Sequence, residues 1–341
     1  MMKVFNDYEI DSYLLSLNSQ HIQRYQRILA DVLLAYAADP TIIPQRTVEQ
    51  TMLGPTHLFM PTTGADVGIK VLTSSQEGFK GATFIFSPLN GELQCVLNAY
   101  TLTAFRTALA TTLALVKVQP ISGYRENESL IVFGVGPQSF WHVKLTVTLY
   151  PGRFSTVYVA NRTVYNAERF ITEKFSSAFG GIRFVPLSTV SQDAEVGQAV
   201  AECSVIFGCT PSTVPVIRGE WLYASRKLSY EGSKFIGLIG SYKPHMMEID
   251  SELVECYTQE HSFIVDSKEH TLHEAGEFIS NSIDGTKLVE VSELWGESDH
   301  NFSLLKLVIC KMVGLAIMDV AVGSQVMKDN VTSDAGVSVA F

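Results

Sequence analysis

Apolar and polar positions divide this chain of 341 residues into two regimes. From residue 7 to 38 the spacing is helical: Ile22, Tyr25, Ile28, Leu29, Val32, Leu33 and Tyr36 recur three and four apart. Two helices are expected there, with Asp7 capping the first and Pro40 and Pro44 closing the region. Residues 45–97 read as β-structure. Gly68-Ile-Lys-Val-Leu-Thr73 and Ala82-Thr-Phe-Ile-Phe-Ser87 are strands, and an Asn90-Gly91 turn precedes Leu93-Gln-Cys-Val-Leu97. Thr101 to Val118 is expected as a helix with a threonine cap. A polar stretch, Ser122 to Ser129, then marks a domain boundary.

From Leu130 the pattern becomes strand alternating with helix. Strands are expected near 130–133, 156–160, 182–186, 204–208, 235–239 and 262–265. Helices are expected near 138–150, 164–178 and 192–202, with Gly180-Gly181 stopping the second. Such alternation builds a doubly wound parallel sheet. The chain then turns helical over 302–327, interrupted at Gly323-Ser324, and ends in a loose tail after Asp329. The expected fold class is α/β: a doubly wound domain over 122–301, and an α+β domain made of 1–121 with 302–341.

Composition narrows the function. Apolar residues make up 46% of the chain and the net charge is −10, with no basic run, so neither nucleic acid nor an anionic membrane surface is an expected partner. The stretch Leu304 to Val322 is broken by Lys306, Lys311 and Asp319 and is not read as a membrane span. The N-terminus carries no apolar signal-like run, and the five cysteines are scattered without a Cys-x-x-Cys pair. They read as reduced thiols of a cytoplasmic protein. The eight histidines show no metal-ligand spacing, His270 and His273 included, and no metal is expected.

The most informative segment is Leu130-Ile-Val-Phe-Gly134-Val-Gly136-Pro137-Gln138-Ser139. An apolar strand runs into Gly-x-Gly and then a helix start. Gly134 permits the tight turn, and Gly136 lets a pyrophosphate approach the backbone at the positive end of the helix. Ser139 replaces the usual third glycine. One strand later Thr156-Val-Tyr-Val-Ala160 ends at Asn161-Arg162-Thr163, 26 residues beyond Gly136. An NAD site places a carboxylate near that point, to bind the ribose 2′-hydroxyl. Here the acid is missing and Arg162 suits a 2′-phosphate, so NADP(H) is expected rather than NAD(H).

Three cations lie in apolar settings in the N-terminal half. Arg46 follows Pro44, Lys70 sits between Ile69 and Val71, and Arg106 lies in Leu102-Thr-Ala-Phe-Arg106-Thr-Ala-Leu-Ala. A buried cation needs an anion. Few acids are near in sequence, so a pocket for a carboxylate substrate is expected. Each alone also fits a snorkelling or surface residue.

Together these blocks resemble the ornithine cyclodeaminase/mu-crystallin family, in order and over nearly the whole chain. Pro44-Gln-Arg46, Leu58-Phe-Met-Pro61 and Gly68-Ile-Lys70 are similar to its early segments. Leu102-Thr-Ala-Phe-Arg106-Thr-Ala108 is similar to its most specific block, and Gly134-Val-Gly136-Pro137-Gln138 to its Gly-x-Gly-x-Gln turn. Asn161-Arg162-Thr163 with Asn166-Ala167-Glu168 resembles the mu-crystallin (ketimine reductase) branch. Cys209-Thr210-Pro-Ser-Thr-Val-Pro215 resembles the loop on the nicotinamide side. Ile239-Gly240-Ser241, Pro244, Glu248-Ile-Asp250, Val265-Asp266-Ser267, Gly276-Glu277 and Lys311-x-x-Gly314-x-Ala316-x-x-Asp319 complete the series.

The resemblance implies a homodimer of two-domain subunits. Residues 122–301 would bind the dinucleotide through Gly134, Gly136, Pro137, Gln138, Asn161, Arg162, Thr163, Cys209, Thr210, Gly240 and Ser241. Residues 1–121 with 302–341 would bind substrate and dimerise, with Arg46, Lys70 and Arg106 on the substrate carboxylate. The cyclodeaminase branch carries a catalytic Asp after the glycine pair of the late block. That position is Tyr242 here, and His245 stands where the mu-crystallin branch tends to have an acid. The implied activity is therefore NADPH-dependent reduction of cyclic imino acids, a small-molecule oxidoreductase reaction with Lys70 and Tyr242 as candidate catalytic groups. The alternatives are an amino-acid dehydrogenase, an ornithine cyclodeaminase-like lyase, or a non-catalytic NADPH-linked ligand-binding protein.

Overall fold

The computed structural model describes residues 1–75, 78–175, 179–224, 227–228, 232–296, 302–330 and 335–340. They divide into two compact units, Met1–Leu109 with Gly314–Phe341, and Ala110–Val313.

The first unit opens with β1 (Met2–Phe5), α1 (Asp7–Leu15) and α2 (Ser19–Ala38). Asn6 caps α1, not Asp7: its side chain accepts from the Glu9 amide while Glu9 accepts from the Asn6 amide. Asp7 instead accepts from the backbone N–H of Thr101. Five strands follow, each antiparallel to the next: β2 (Thr47–Gln50), β3 (Thr56–Thr63), β4 (Val67–Ser75), β5 (Gly78–Phe86) and β6 (Leu93–Asn98). The expected turn before β6 is present, with Gly91 at φ +75°. α3 (Ala99–Val118) starts two residues before Thr101, and the side chain of Asn98 accepts from the Tyr100 amide.

The second unit alternates strand and helix. Its elements are β7 (Glu128–Phe133), α4 (Pro137–Leu149), β8 (Phe154–Asn161), α5 (Val164–Lys174), β9 (Arg183–Ser188), α6 (Asp193–Glu202) and β10 (Val205–Gly208). A short β11 (Tyr223–Ala224) and β12 (Lys227–Leu228) pair with each other. Then come β13 (Lys234–Leu238), α7 (Ser251–Glu260), β14 (Phe263–Val265), α8 (Lys268–Glu274), α9 (Gly276–Ser280), β15 (Leu288–Glu290), α10 (Val291–Trp295) and β16 (Leu307–Lys311). Eight of these strands form one sheet in the order β15-β14-β16-β13-β10-β7-β8-β9, parallel throughout. Strand order reverses between β7 and β10, the place where α/β sheets open a crevice at their carboxyl edge. Ile131, Phe133, Ile206, Ile236, Phe263 and Ile309 are fully buried around the sheet. α5 ends at Lys174, short of the expected 178; residues 176–178 lie outside the described residues.

The chain then returns to the first unit with α11 (Ala316–Asp329) and β17 (Val337–Val339). The first unit's sheet has the order β17-β1-β6-β5-β4-β3-β2. Three expectations are corrected here. Residues 302–327 are not one helix, because Leu307–Lys311 is a buried strand between β13 and β14. A short run of apolar residues fits a buried strand as well as a buried helix, and periodicity alone does not separate them. The tail is not loose at Val337–Val339, which pairs antiparallel with β1. Gly323-Ser324 does not break a helix but lies inside α11. Gly323 faces Leu97, Leu102 and Ile85, and Ser324 Oγ donates to Asp66 at 2.6 Å. Among the described residues one helix, α3, is long and apolar enough to cross a membrane, and most of it is buried within the protein.

Gly323 tests this packing. A Cβ there would stand 3.3 Å from a terminal methyl of Leu97. Gly323→Ala should stay within about 1 kcal/mol of the parent, because gained helix propensity offsets a small shift of that methyl. Gly323→Leu should lose about 1–3 kcal/mol through overpacking. Urea denaturation of both variants checks this; equal stability of all three proteins would contradict the packing.

Candidate functional site

In the first unit Lys70 projects from β4, Arg106 from α3 and Asp319 from α11. Lys70 Nζ donates to Asp319 Oδ1 at 2.6 Å and to Thr103 Oγ1 at 2.8 Å. Arg106 Nε stands 3.0 Å from Asp319 Oδ2, an ion pair without hydrogen-bond alignment, and its Nη1 lies 3.6 Å from Met318 Sδ. All three charged residues are buried. The expectation of few nearby acids is thus corrected: the counter-ion comes from 249 positions away along the chain. An acid flanked by Met318 and Val320 was the signal that would have found it. Burial lowers the Lys70 ammonium to about 8, with the Arg106 charge acting the same way and Asp319 opposing. At neutral pH Lys70 remains charged, so two cations share one carboxylate and the cluster keeps one net positive charge.

Arg46 is half-buried immediately before β2. Thr47 pairs with Phe59, and Met60 with Lys70. Arg46 precedes the first paired residue of β2 by one position.

In the second unit every glycine-turn and loop residue singled out from the sequence lies at the carboxyl edge of the parallel sheet. Gly134 follows β7 with φ +108°, and a Cβ there would stand 2.7 Å from the carbonyl of Cys209, after β10. Only glycine serves both demands. Gly136 is the N-cap of α4 and has nothing within 4 Å of where its Cβ would stand. Pro137 occupies the first turn, and Gln138 Oε1 is buried with no hydrogen-bond partner among the described residues. An open approach, a helix N-terminus and an unpartnered polar atom fit a dinucleotide phosphate. Asn161 ends β8, and Arg162 and Thr163 follow it exposed to solvent. The Ser241 hydroxyl turns inward instead, accepting from Lys311 Nζ at 2.6 Å and donating to Glu277 Oε1 at 2.6 Å, all three residues being buried.

Two residues to which sequence reasoning gave no role sit behind these loops, Glu248 appearing there only within a family block. His142 on α4 places Nδ1 2.8 Å from the Gln138 carbonyl and Nε2 3.0 Å from Thr111 Oγ1. The carbonyl can only accept, so the proton is assigned to Nδ1, and Nε2 accepts from the threonine. Complete burial lowers this imidazole to about 4. Glu248 is also fully buried. Its carboxylate accepts from the Thr210 amide at 2.8 Å, Thr210 Oγ1 at 3.1 Å, the Ile239 amide at 3.1 Å and the Gly240 amide at 2.6 Å. Burial pushes its carboxyl up, while Lys311 and the amide donors pull the other way.

The family model for ornithine cyclodeaminase/mu-crystallin proteins matches residues 56–334. The chain belongs to that family. A Saccharomyces cerevisiae protein of uncharacterised function is 30% identical over 94% of this chain and 95% of its own length. The ketimine reductase mu-crystallin of Rattus norvegicus is 27% identical over 70% of this chain and 66% of its own. In fold the chain is similar to the Δ1-pyrroline-2-carboxylate reductase of Thermococcus litoralis, solved with NADH and L-proline. That likeness has a TM-score of 0.76 at 19% identity and covers 99% of this chain and 100% of the other. Against the family pattern, Tyr242 is half-buried, and burial pushes its phenol up from the ordinary value. A phenol so shifted is neutral at pH 7 and acts as a hydrogen-bond donor, not as a carboxylate-like base. His245 is exposed.

His142 gives a pH test. The unfolded chain binds its proton near pH 6.5, the folded protein only near 4. Between these values the unfolded state holds more protons. The contribution of His142 is therefore complete above 6.5 and is lost as pH falls to 4, by about 3 kcal/mol. His142→Gln should flatten the fall in stability between pH 6.5 and 4 relative to the parent, measured by urea denaturation across that range. An unchanged slope would contradict the buried neutral imidazole.

Proposed function

We propose that the protein is an NADPH-dependent reductase of cyclic imino acids. The observation that carries this reading is the positive charge left over in the buried Lys70–Asp319–Arg106 cluster, which suits a small carboxylate. Arg106 offers a planar fork for two parallel hydrogen bonds to that carboxylate, and Lys70 a compact charge beside it. Arg46, immediately before β2, would add a third cation. The relatives support the substrate class: one is a ketimine reductase and one a pyrroline-2-carboxylate reductase.

The first turn of α4, with Gly134, Gly136, Pro137 and Gln138, would hold the pyrophosphate. Asn161, Arg162 and Thr163 would hold the adenosine ribose, and the loops of Cys209–Thr210 and Gly240–Ser241 the nicotinamide side. When bound, the nicotinamide supplies the hydride that reduces a C=N carbon. Arg162 and the missing acid favour NADP(H), whereas the Thermococcus litoralis enzyme was solved with NADH. Lys70, lowered to about 8, is the group able to give up a proton near neutral pH, while the Tyr242 phenol, pushed up by burial, would serve as a hydrogen-bond donor. With Tyr242 in the place of a catalytic Asp, release of ammonia from ornithine is disfavoured.

The assembly in this reading is a homodimer, supported by the exposed apolar side chains of Val48, Met52, Leu53, Phe59 and Phe79 on and beside β2, β3 and β5. All five cysteines are free thiols, in keeping with a cytoplasmic setting.

Oxidation of NADPH with a panel of five- and six-membered cyclic imino acids tests the activity. Turnover of at least one is expected; no turnover of any, with ammonia released from ornithine, would overturn the reading. Arg162→Ala tests the cofactor. It should weaken NADPH binding roughly ten- to a hundredfold and leave NADH binding nearly unchanged. Equal loss for the two nucleotides, measured by calorimetric titration, would reject the 2′-phosphate assignment.

A further inference from the structure

The buried Glu248 carboxylate accepts four hydrogen bonds, and the reaction proposed above gives it no part. Its four donors come from two different loops. Thr210 follows β10, while Ile239 and Gly240 follow β13. The two loops also touch directly, since a Cβ on Gly240 would stand 1.9 Å from the Thr210 carbonyl. A Cβ on Gly208 would meet the Glu248 carboxylate at 2.8 Å, so the last residue of β10 has no side chain where that group sits. The Glu248 backbone is fixed as well. Its carbonyl accepts from the Val216 and Ile217 amides, both at 2.9 Å, and Met247 donates to the Ser212 carbonyl at 2.8 Å. Behind Gly240, the Ser241 hydroxyl is held by Lys311 and Glu277.

These loops leave the sheet on one side of the β7/β10 reversal. The turn after β7 and the end of β8, with Arg162, lie on the other side. A dinucleotide crossing such a reversal has its two halves on opposite sides. The adenosine half belongs with β7 and β8, so the nicotinamide half belongs over β10 and β13. We infer that Glu248 is a positioning residue that sets the spacing of the Thr210 and Gly240 loops and thereby shapes the nicotinamide half of the cofactor site. This rests on the cofactor reading above. A carboxylate is required, because all four partners donate. A glutamine keeps the size but turns an NH2 group toward N–H donors at one loop, leaving buried groups unpaired.

The test compares the whole cofactor with a fragment. NADPH and 2′-phospho-ADP-ribose, which lacks the nicotinamide, are titrated calorimetrically into the parent protein and Glu248→Gln. The variant should bind NADPH about tenfold or more weakly and the fragment within about threefold of the parent. Should Glu248→Gln not fold, Gly208→Ala pushes the carboxylate without removing it, and the same split is expected. Equal weakening of both ligands, or unchanged NADPH binding, would overturn the assignment, the first marking Glu248 as a general structural residue. A parent protein that binds neither ligand would overturn the cofactor reading, and this inference with it.

Discussion

Asp319 is the charge on which the first unit depends. One carboxylate in the middle of an apolar helix gathers a lysine from β4 and an arginine from α3, and all three residues are buried. Removing water from any one of these charges alone would cost several kcal/mol, so each is tolerable only because the others are present. The return of α11 to the N-terminal sheet is therefore an electrostatic necessity as well as a packing one. It also leaves the balance uneven, two positive charges to one negative. In the proposed reading, that imbalance is what the substrate carboxylate would answer.

The second unit applies the same physics to loops. Its glycine-rich turns carry few side chains with which to hold themselves, so buried acids behind them do so. Glu248 joins the loops after β10 and β13, and Glu277 with Lys311 holds Ser241 from below. Gly208 and Gly240 leave room for these contacts, since a methyl group at either position would strike the carboxylate or the neighbouring loop. Glycine here serves close approach between protein parts, in addition to the backbone freedom that Gly134 needs at φ +108°. His142 adds a neutral, hydrogen-bonded support beneath the turn after β7.

The family relationship and the departure at Tyr242 bear on chemistry in different ways. The scaffold, the glycine turn and the cation cluster are what a carboxylate-binding dinucleotide enzyme needs. Replacing a carboxylate by a phenol removes a base and supplies a donor. A group that stays neutral at pH 7 suits protonation of a nitrogen during reduction better than proton removal from an amine.

The sequence by itself determined the parts governed by local rules. Alternating strand and helix after Leu130, the turn at Gly134 and Gly136, the helical stripe from Ile22 to Tyr36 and the apolar setting of Lys70 and Arg106 were all legible, because periodicity and glycine placement act over a few residues. Boundaries and caps were less so: Asn6 rather than Asp7 caps α1, since the choice rests on which side chain reaches the Glu9 amide. Leu307–Lys311 had the composition of a buried helix or a buried strand, and only the empty place between β13 and β14 made it a strand. The counter-ion of Lys70, the four donors of Glu248 and the inward turn of Ser241 were decided by the tertiary structure alone. Each joins groups far apart in the chain, and sequence spacing carries no information about which buried charges will meet.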